Sequence, residues 1–312
     1  MPIKIKDSLP ARAILESENI FVMTEYRAQH QDIRPLNVLI LNLMPTKIVT
    51  ETQLLRKLSN TPLQVQVEFL QTASYKPSHV DPSHLETFYS TFDEVKDRQF
   101  DGMIITGAPL DFIKMEDVDY WDELCKIMEW GKTHVHSTLH LCWGAFAGLY
   151  YLYGIEKKDR IPKLSGVYSH KIIKKSSPLF RGFDDVFYAP HSRATEVLEE
   201  QIRAVPELEL MAISDEAGVS IVKTTDSKHF FMTCHLEYDG DTLALEYKRD
   251  MDKGLNPNIP VNYFPDDDPS KDPIVNWRSA GQLLFSNWLN YYVYQTTPYD
   301  LRKISKEEKE KN

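Results

Sequence analysis

Cysteine is scarce in this sequence: 312 residues hold three, Cys125, Cys142 and Cys234. An odd, low count builds no disulfide framework and fits a reducing compartment, so a cytoplasmic location is expected. Long apolar runs are missing too, and none approaches the roughly 18 residues that suggest a membrane span. The first segment, MPIKIKDSLPARAILESEN, lacks the apolar core of a secretory signal. There is no basic excess: Lys plus Arg is 36 against 46 Asp plus Glu, a net charge of -10. That balance argues against nucleic acid as the main partner, because phosphate binding wants a basic face. It leaves room for a local basic pocket for a phosphorylated co-substrate. No G-x-G-x-x-G fingerprint or Walker loop occurs, which argues against Rossmann-type NAD binding and P-loop nucleotide hydrolysis. His134, His136, His140 and Cys142 cluster in sequence, as do His229, Cys234 and His235. Neither group has Cys-x2-Cys or His-Glu-x2-His spacing, so no metal is expected.

The residues that are present describe a soluble globular chain, 42% hydrophobic and 26% charged. Its length suits one large α/β domain. Apolar runs at Leu36 to Pro45 and Phe100 to Pro109, and in VHSTLHLC, read as strands buried on both faces; Leu63 to Leu70 alternates as a strand does. Helical spacing separates them, in TKIVTETQLLRKLSN, from about Ser83 through DEVKDRQF, in VDYWDELCKIMEWGKTH and in WGAFAGLYYLYG. Such alternation means a mostly parallel central sheet flanked by helices, with sites at the carboxyl ends of its strands. The second half reads as shorter strands, GVYSHKII, DVFYAPHS, VSIVKTT and HFFMTCHLEY, mixed or antiparallel. A helix over Gly240 to Gly254 and a long final helix, VNWRSAGQLLFSNWLNYYVYQ, follow. The expected organisation is an extension over 1–35 packed on the core, a domain over 36–301 and a charged tail over 302–312.

The chemistry concentrates at STLHLCWGAFAG, Ser137 to Gly148. An apolar strand stops at Cys142 and a helix opens with small residues, the pattern of a nucleophile elbow. A helix N-terminus favours thiolate over thiol, and the Trp143 amide would help bind an oxyanion. The plainer reading is a small buried hydrophobe. A thiol needs a base, and TCHLEYDG offers His235 with Glu237 two residues on, pointing to the same face of an apparent strand end. Glu237 would hold the imidazole in the tautomer that takes the Cys142 proton. The competing reading is a solvated His-Glu pair. His136 and His140 alternate with apolar neighbours and would line the sheet or contact a substrate. Lys163, Ser192, Arg193 and Arg249 supply cations and a hydroxyl for a carboxylate or phosphate.

Ordered blocks from near residue 36 to near residue 301 resemble the MetA-type homoserine O-acyltransferases. They include NLMPTKIVTETQLLR, TGAP, VDYW, STLHLCWGA, KLSGVY, PHSR, HLEYD and YFPDDDP. The resemblance implies a class I glutamine amidotransferase-like fold, flavodoxin-like, with an acyl-enzyme on Cys142. The acyl group comes from acyl-CoA as co-substrate, with no bound cofactor, and His235 deprotonates the homoserine hydroxyl. Lys163, Ser192 and Arg249 fall on the family's substrate-binding positions; Lys47 and Glu246 fall in matching blocks. The resemblance also implies methionine synthesis and a homodimer. Asp111 stands where the residue type separates acetyl from succinyl donors, and its carboxylate would repel a succinyl carboxylate, which favours acetyl-CoA. Succinyl-CoA, and serine as acceptor, are the alternatives. Two departures flank the site: Phe146 where Gln is usual, and Cys234 where Gly is usual. Other uses of the same residues would be a glutaminase-like hydrolase, which His140 two residues before the cysteine argues against, and a non-catalytic binder, which an intact triad argues against.

Overall fold

A computed structural model describes residues 3–4, 22–23, 35–59, 61–74 and 82–298 of the chain. The expected 1–35 extension and 302–312 tail lie almost wholly outside the described residues. Ile3–Lys4 pairs with Val22–Met23 in parallel.

Ten strands of the described residues form one sheet. In chain order they are β1 (Leu36–Leu41), β2 (Val65–Leu70), β3 (Tyr89–Ser90), β4 (Phe100–Ile105) and β5 (Val135–Leu141), then β6 (Lys158–Ile172), β7 (Val186–Glu196), β8 (Leu208–Ser214), β9 (Gly218–Thr224) and β10 (His229–Met232). Their order across the sheet is β3-β2-β1-β4-β5-β10-β9-β8-β6-β7. The pairings from β3 to β10 are parallel, and those from β10 to β7 are antiparallel. The mostly parallel, helix-flanked sheet is therefore present, with an antiparallel extension built from the second half.

Alternation along the strands feeds both faces. Val38 and Ile40 of β1 join the apolar layer under helices α1 (Lys47–Ser59) and α8 (Arg278–Asn287). Leu39 and Leu41 join the opposite layer under α4 (Trp121–His134) and α5 (Trp143–Tyr153). Helix α4 carries Asp122 and Glu123 in its first turn and Lys132 and His134 in its last, matching the helix dipole. Helix α5 buries its first seven residues and stops at Gly154, whose φ of 67° ends it in the left-handed region.

Several elements differ from the sequence reading. The helix expected from Ser83 onward breaks into α2 (Pro82–Phe88) and α3 (Phe92–Val95), with β3 between them. The break is local: Tyr89 is buried, and Glu94 accepts from the Thr91 amide and hydroxyl in a capping arrangement that starts α3. Strand β8 and the short helix α6 (Glu199–Arg203) were not anticipated. Strand β6 is far longer than expected because it pairs with β7 along most of its length. The second-half helix is α7 (Thr242–Asp252). The final helix runs from α8 into a π-helical segment, Trp288–Tyr294. There Trp288 fills the space a Cβ at Gly102 would need, 3.0 Å away, and donates its indole N–H to Ser137 Oγ at 3.0 Å.

Candidate active site

Cys142 follows the last residue of β5 and caps α5 with φ 48° and ψ -114°. A non-glycine residue there costs on the order of 1–3 kcal/mol, so its surroundings must impose it. They do so from three sides. The Cys142 amide donates to Met232 O at 2.6 Å, and its carbonyl accepts from Ala145 at 2.9 Å. A Cβ on Gly144 would meet Thr106 O at 2.6 Å and Ile105 O at 2.9 Å, so the first turn of α5 lies against the end of β4. Gly107 sits so close that a Cβ there would be 3.3 Å from Cys142 Cβ. Trp143 is the first helical residue, and its amide has no carbonyl one turn earlier to bond within the helix.

The base is built by a turn rather than by a strand. Strand β10 ends at Met232, and His235 and Glu237 lie beyond it, which corrects the strand-end reading. The His235 amide donates to Pro190 O at 2.8 Å, and the Tyr238 amide returns to His235 O at 3.4 Å. His235 Nδ1 and Glu237 Oε1 are 2.6 Å apart, with both side chains buried. The Cys142 side chain is the imidazole's other close electrostatic neighbour. Burial opposes a charge on His235, but the adjoining Cys142 sulfur and Glu237 carboxylate outweigh it and raise the imidazole well above its ordinary value. Helix α8 clamps the turn from behind: a Cβ on Gly281 would be 2.3 Å from Leu236 O, and Trp277 donates to Tyr238 O at 3.0 Å.

Around this set the other candidates fall into two groups. Ser192 on β7 donates to Glu246, which also accepts from Tyr238 Oη at 3.0 Å. Tyr238 is buried and its ring stacks on His235, with centroids 4.0 Å apart. Arg249 is held by Asp250 through Nε at 2.8 Å and Nη2 at 2.7 Å, and Lys163 Nζ approaches the other Asp250 oxygen at 3.5 Å. The Asp250 hydrogen bond raises Arg249 above its ordinary value. Asp250 and Tyr238 were not singled out from sequence, although both adjoin residues that were.

Arg193 is buried and committed. It donates to the carbonyls of Thr195 and Ala217 and to His191 Nδ1 at 3.3 Å, and lies over Phe146 at 5.9 Å. Burial lowers it to about 10 against the opposing pull of Cys142, so it stays cationic near neutral pH. Asp111 accepts from Thr195 Oγ1 at 3.1 Å, and its backbone carbonyl accepts from Lys157. Lys47 is buried after β1, two strands from Cys142. It donates to Asn42 O, lies over Tyr89 and is lowered to about 8 by burial, with Glu51 opposing.

The histidine cluster divides differently from the sequence reading. His136 is the second residue of β5, at the end opposite Cys142, and bonds Thr296 at 2.8 Å. His140 is interior, bonded to His229 at 3.1 Å and stacked on Phe231. Alternation along β5 therefore places neither at the site. Cys234 is fully buried, and burial raises its thiol to about 12. Among the described residues no group of three His, Cys, Asp or Glu could hold a metal ion, and no helix is long and apolar enough to cross a membrane.

Residues 2–299 match the family described as homoserine O-succinyltransferase. A homoserine O-acetyltransferase from Methanomethylophilus alvi is 59% identical over 98% of this chain and 99% of its own length. Another, from Acetivibrio thermocellus, is 57% identical over 97% of this chain and its full length. Among solved structures, a glutamine amidotransferase from Thermotoga maritima superposes with a TM-score of 0.53 at 14% identity, over 82% of this chain and 97% of that one. At such identity the likeness concerns the fold alone, and the fold is of that class.

Proposed function

Because the chain belongs to the homoserine O-succinyltransferase family, we propose that it transfers an acetyl group from acetyl-CoA to the hydroxyl of L-homoserine. The observation that carries this reading is the buried chain Cys142–His235–Glu237, with the cysteine at a positive φ on a strand end.

In the first half-reaction Cys142 Sγ attacks the thioester carbonyl. Its proton resides on His235, the developing oxyanion is taken by the Trp143 amide, and collapse breaks the bond to the CoA sulfur, which leaves with the proton from His235. In the second, His235 removes the hydroxyl proton of homoserine, the oxygen attacks the acetyl carbon, and the Cys142 bond breaks. Glu237 keeps the reactive nitrogen of the imidazole turned to the sulfur and stabilises the imidazolium. Arg193 adds a fixed positive charge whose field reaches Cys142 without touching substrate. Arg249 and Lys163, tied together by Asp250, take the acceptor carboxylate. Ser192 and Glu246 form the polar wall beside it, with Glu246 suited to the ammonium group. Asp111 disfavours a donor ending in a second carboxylate, and the relatives named acetyltransferases support the same choice. We also assign the enzyme to methionine synthesis and to the cytoplasm, acting as a homodimer.

Free CoA release, followed with L-homoserine and either acetyl-CoA or succinyl-CoA, tests this. Clear preference for acetyl-CoA is expected. Preference for succinyl-CoA overturns the donor, and release with neither donor overturns the reaction.

A further inference from the structure

A cleft of about 300 Å³ opens at the carboxyl ends of β2, β1 and β4 on the side of Cys142 away from His235. We infer that this cleft receives the pantetheine arm of the acyl donor, so that donor and acceptor reach Cys142 from opposite flanks. The inference rests on the acyl-CoA reading above and goes beyond it by placing the donor.

Adjacency to the nucleophile is the first support. Ala108 lines the cleft, and its neighbour Gly107 lies where a Cβ would stand 3.3 Å from Cys142 Cβ and 3.7 Å from the Trp143 nitrogen. The cleft wall at Ala108 is thus one residue from the backbone that packs on Cys142. Tyr120, also lining the cleft, touches the Trp143 ring with centroids 6.2 Å apart. Thr106 Oγ1 accepts from the Leu43 amide at 2.7 Å, fixing the β1 wall to the β4 end.

The lining chemistry is the second support. Leu43, Met44 and Leu110 make the walls largely apolar, while Gln71 and Thr72 at the β2 end supply amide and hydroxyl groups. That suits a chain of methylenes and two amides. Asp117 and Asp119 line the cleft and are exposed. The lining cation, Lys47, already donates to Asn42 O, so the two carboxylates dominate and would repel phosphates, leaving the charged nucleotide end outside. The volume agrees, being at the low end for small-molecule sites. The acceptor groups Ser192, Glu246 and Arg249 do not line this cavity; the base and its turn lie between.

Strand order sets the test. Thr72 follows β2, the strand farthest from Cys142 among those bordering the cleft, and Met44 follows β1. Thr72→Phe and Met44→Trp would fill the distal part. A whole arm should suffer there far more than S-acetyl-N-acetylcysteamine, which keeps only the thioester and its nearest amide. The expected result is a drop of at least tenfold in the kcat/KM ratio of acetyl-CoA to the short donor, in both variants. An unchanged ratio with an active wild type overturns the cleft assignment alone; a wild type inert with every thioester overturns the acyl-CoA reading with it. Hydrogen exchange on the unmodified full chain with CoA as probe gives an independent result. Protection of 43–47 and 108–120 is expected, and protection confined to segments around 163 and 246–249 overturns the inference.

Discussion

Lowering the pH from about 7.5 to about 5 should cost this protein about 4 kcal/mol through two buried histidines outside the triad, His170 and His229. His170 and His191 face each other at 2.9 Å, stacked, with Phe187 beyond. His140 and His229 form a second pair at 3.1 Å. All four are buried, and burial is the main cause lowering each of them. His170 and His229 fall to about 4. For His229 the nearby Asp226 opposes the shift, while Lys228 and Lys132 reinforce it; for His191, Arg193 reinforces it. In the unfolded chain each returns to about 6.5. Below that pH the unfolded chain binds protons that the folded one refuses, so stability falls until the folded value is reached. With a folded value of about 4, each histidine contributes about 2 kcal/mol of that loss by pH 5, hence about 4 kcal/mol for His170 and His229 together. His140 and His191 act in the same direction. His235 is shifted the opposite way: its contribution grows as pH falls toward its unfolded value and is fully present below it, so it offsets part of the loss above about pH 6.5 and adds nothing further below. The loss is large against a typical domain stability of about 5–15 kcal/mol. Urea unfolding followed by far-UV circular dichroism across this range measures it directly. A midpoint and slope unchanged between the two pH values would refute the reasoning.

Three further outcomes follow from contacts at the site. Glu237→Gln keeps the shape but removes the charge that fixes the imidazole, and should cut kcat by roughly 10²–10⁴ with little change in the urea midpoint; activity within threefold of wild type would remove Glu237 from the mechanism. Tyr238→Phe preserves the 4.0 Å stack on His235 but frees Glu246, so KM for homoserine should rise while acetylation of Cys142 in single-turnover mixing stays near normal; equal losses in both half-reactions would contradict that division. Gly144→Ala drives a methyl to within 2.6 Å of a backbone carbonyl, and should cost about 3 kcal/mol in urea unfolding; a loss below about 0.5 kcal/mol would show that α5 moves freely against β4.

The parallel half of the fold was legible because its strands are buried on both faces and read as unbroken apolar runs, as Leu36–Leu41 and Phe100–Ile105 do. Cys142 was legible for a related reason: the abrupt passage from apolar strand to Gly144, Ala145 and Ala147 marks a helix packed against neighbouring backbone. The antiparallel half was harder. Strand β8 mixes Glu209 and Ser214 with apolar residues and lies between two other strands, so its identity depends on pairing rather than on its own pattern. The break at Tyr89 hid because Tyr89 and Ser90 gain their strand conformation from pairing with Phe69 and Leu70 of β2. The two-residue spacing of His235 and Glu237 was visible, but their meeting comes from a turn clamped by Gly281 and Trp277, far along the chain. Likewise nothing in PHSR distinguishes Ser192, bonded to Glu246, from Arg193, which turns inward to the carbonyls of Thr195 and Ala217.

The central claim is a covalent acetyl-enzyme on Cys142. Intact-mass spectrometry of the protein mixed with acetyl-CoA and no acceptor tests it most directly, with peptide mapping to locate the adduct. The account predicts one acetyl group on Cys142, lost on adding L-homoserine and absent in Cys142→Ala. Turnover of acetyl-CoA and homoserine by Cys142→Ala, or an adduct on another residue that homoserine discharges at the rate of turnover, would contradict it.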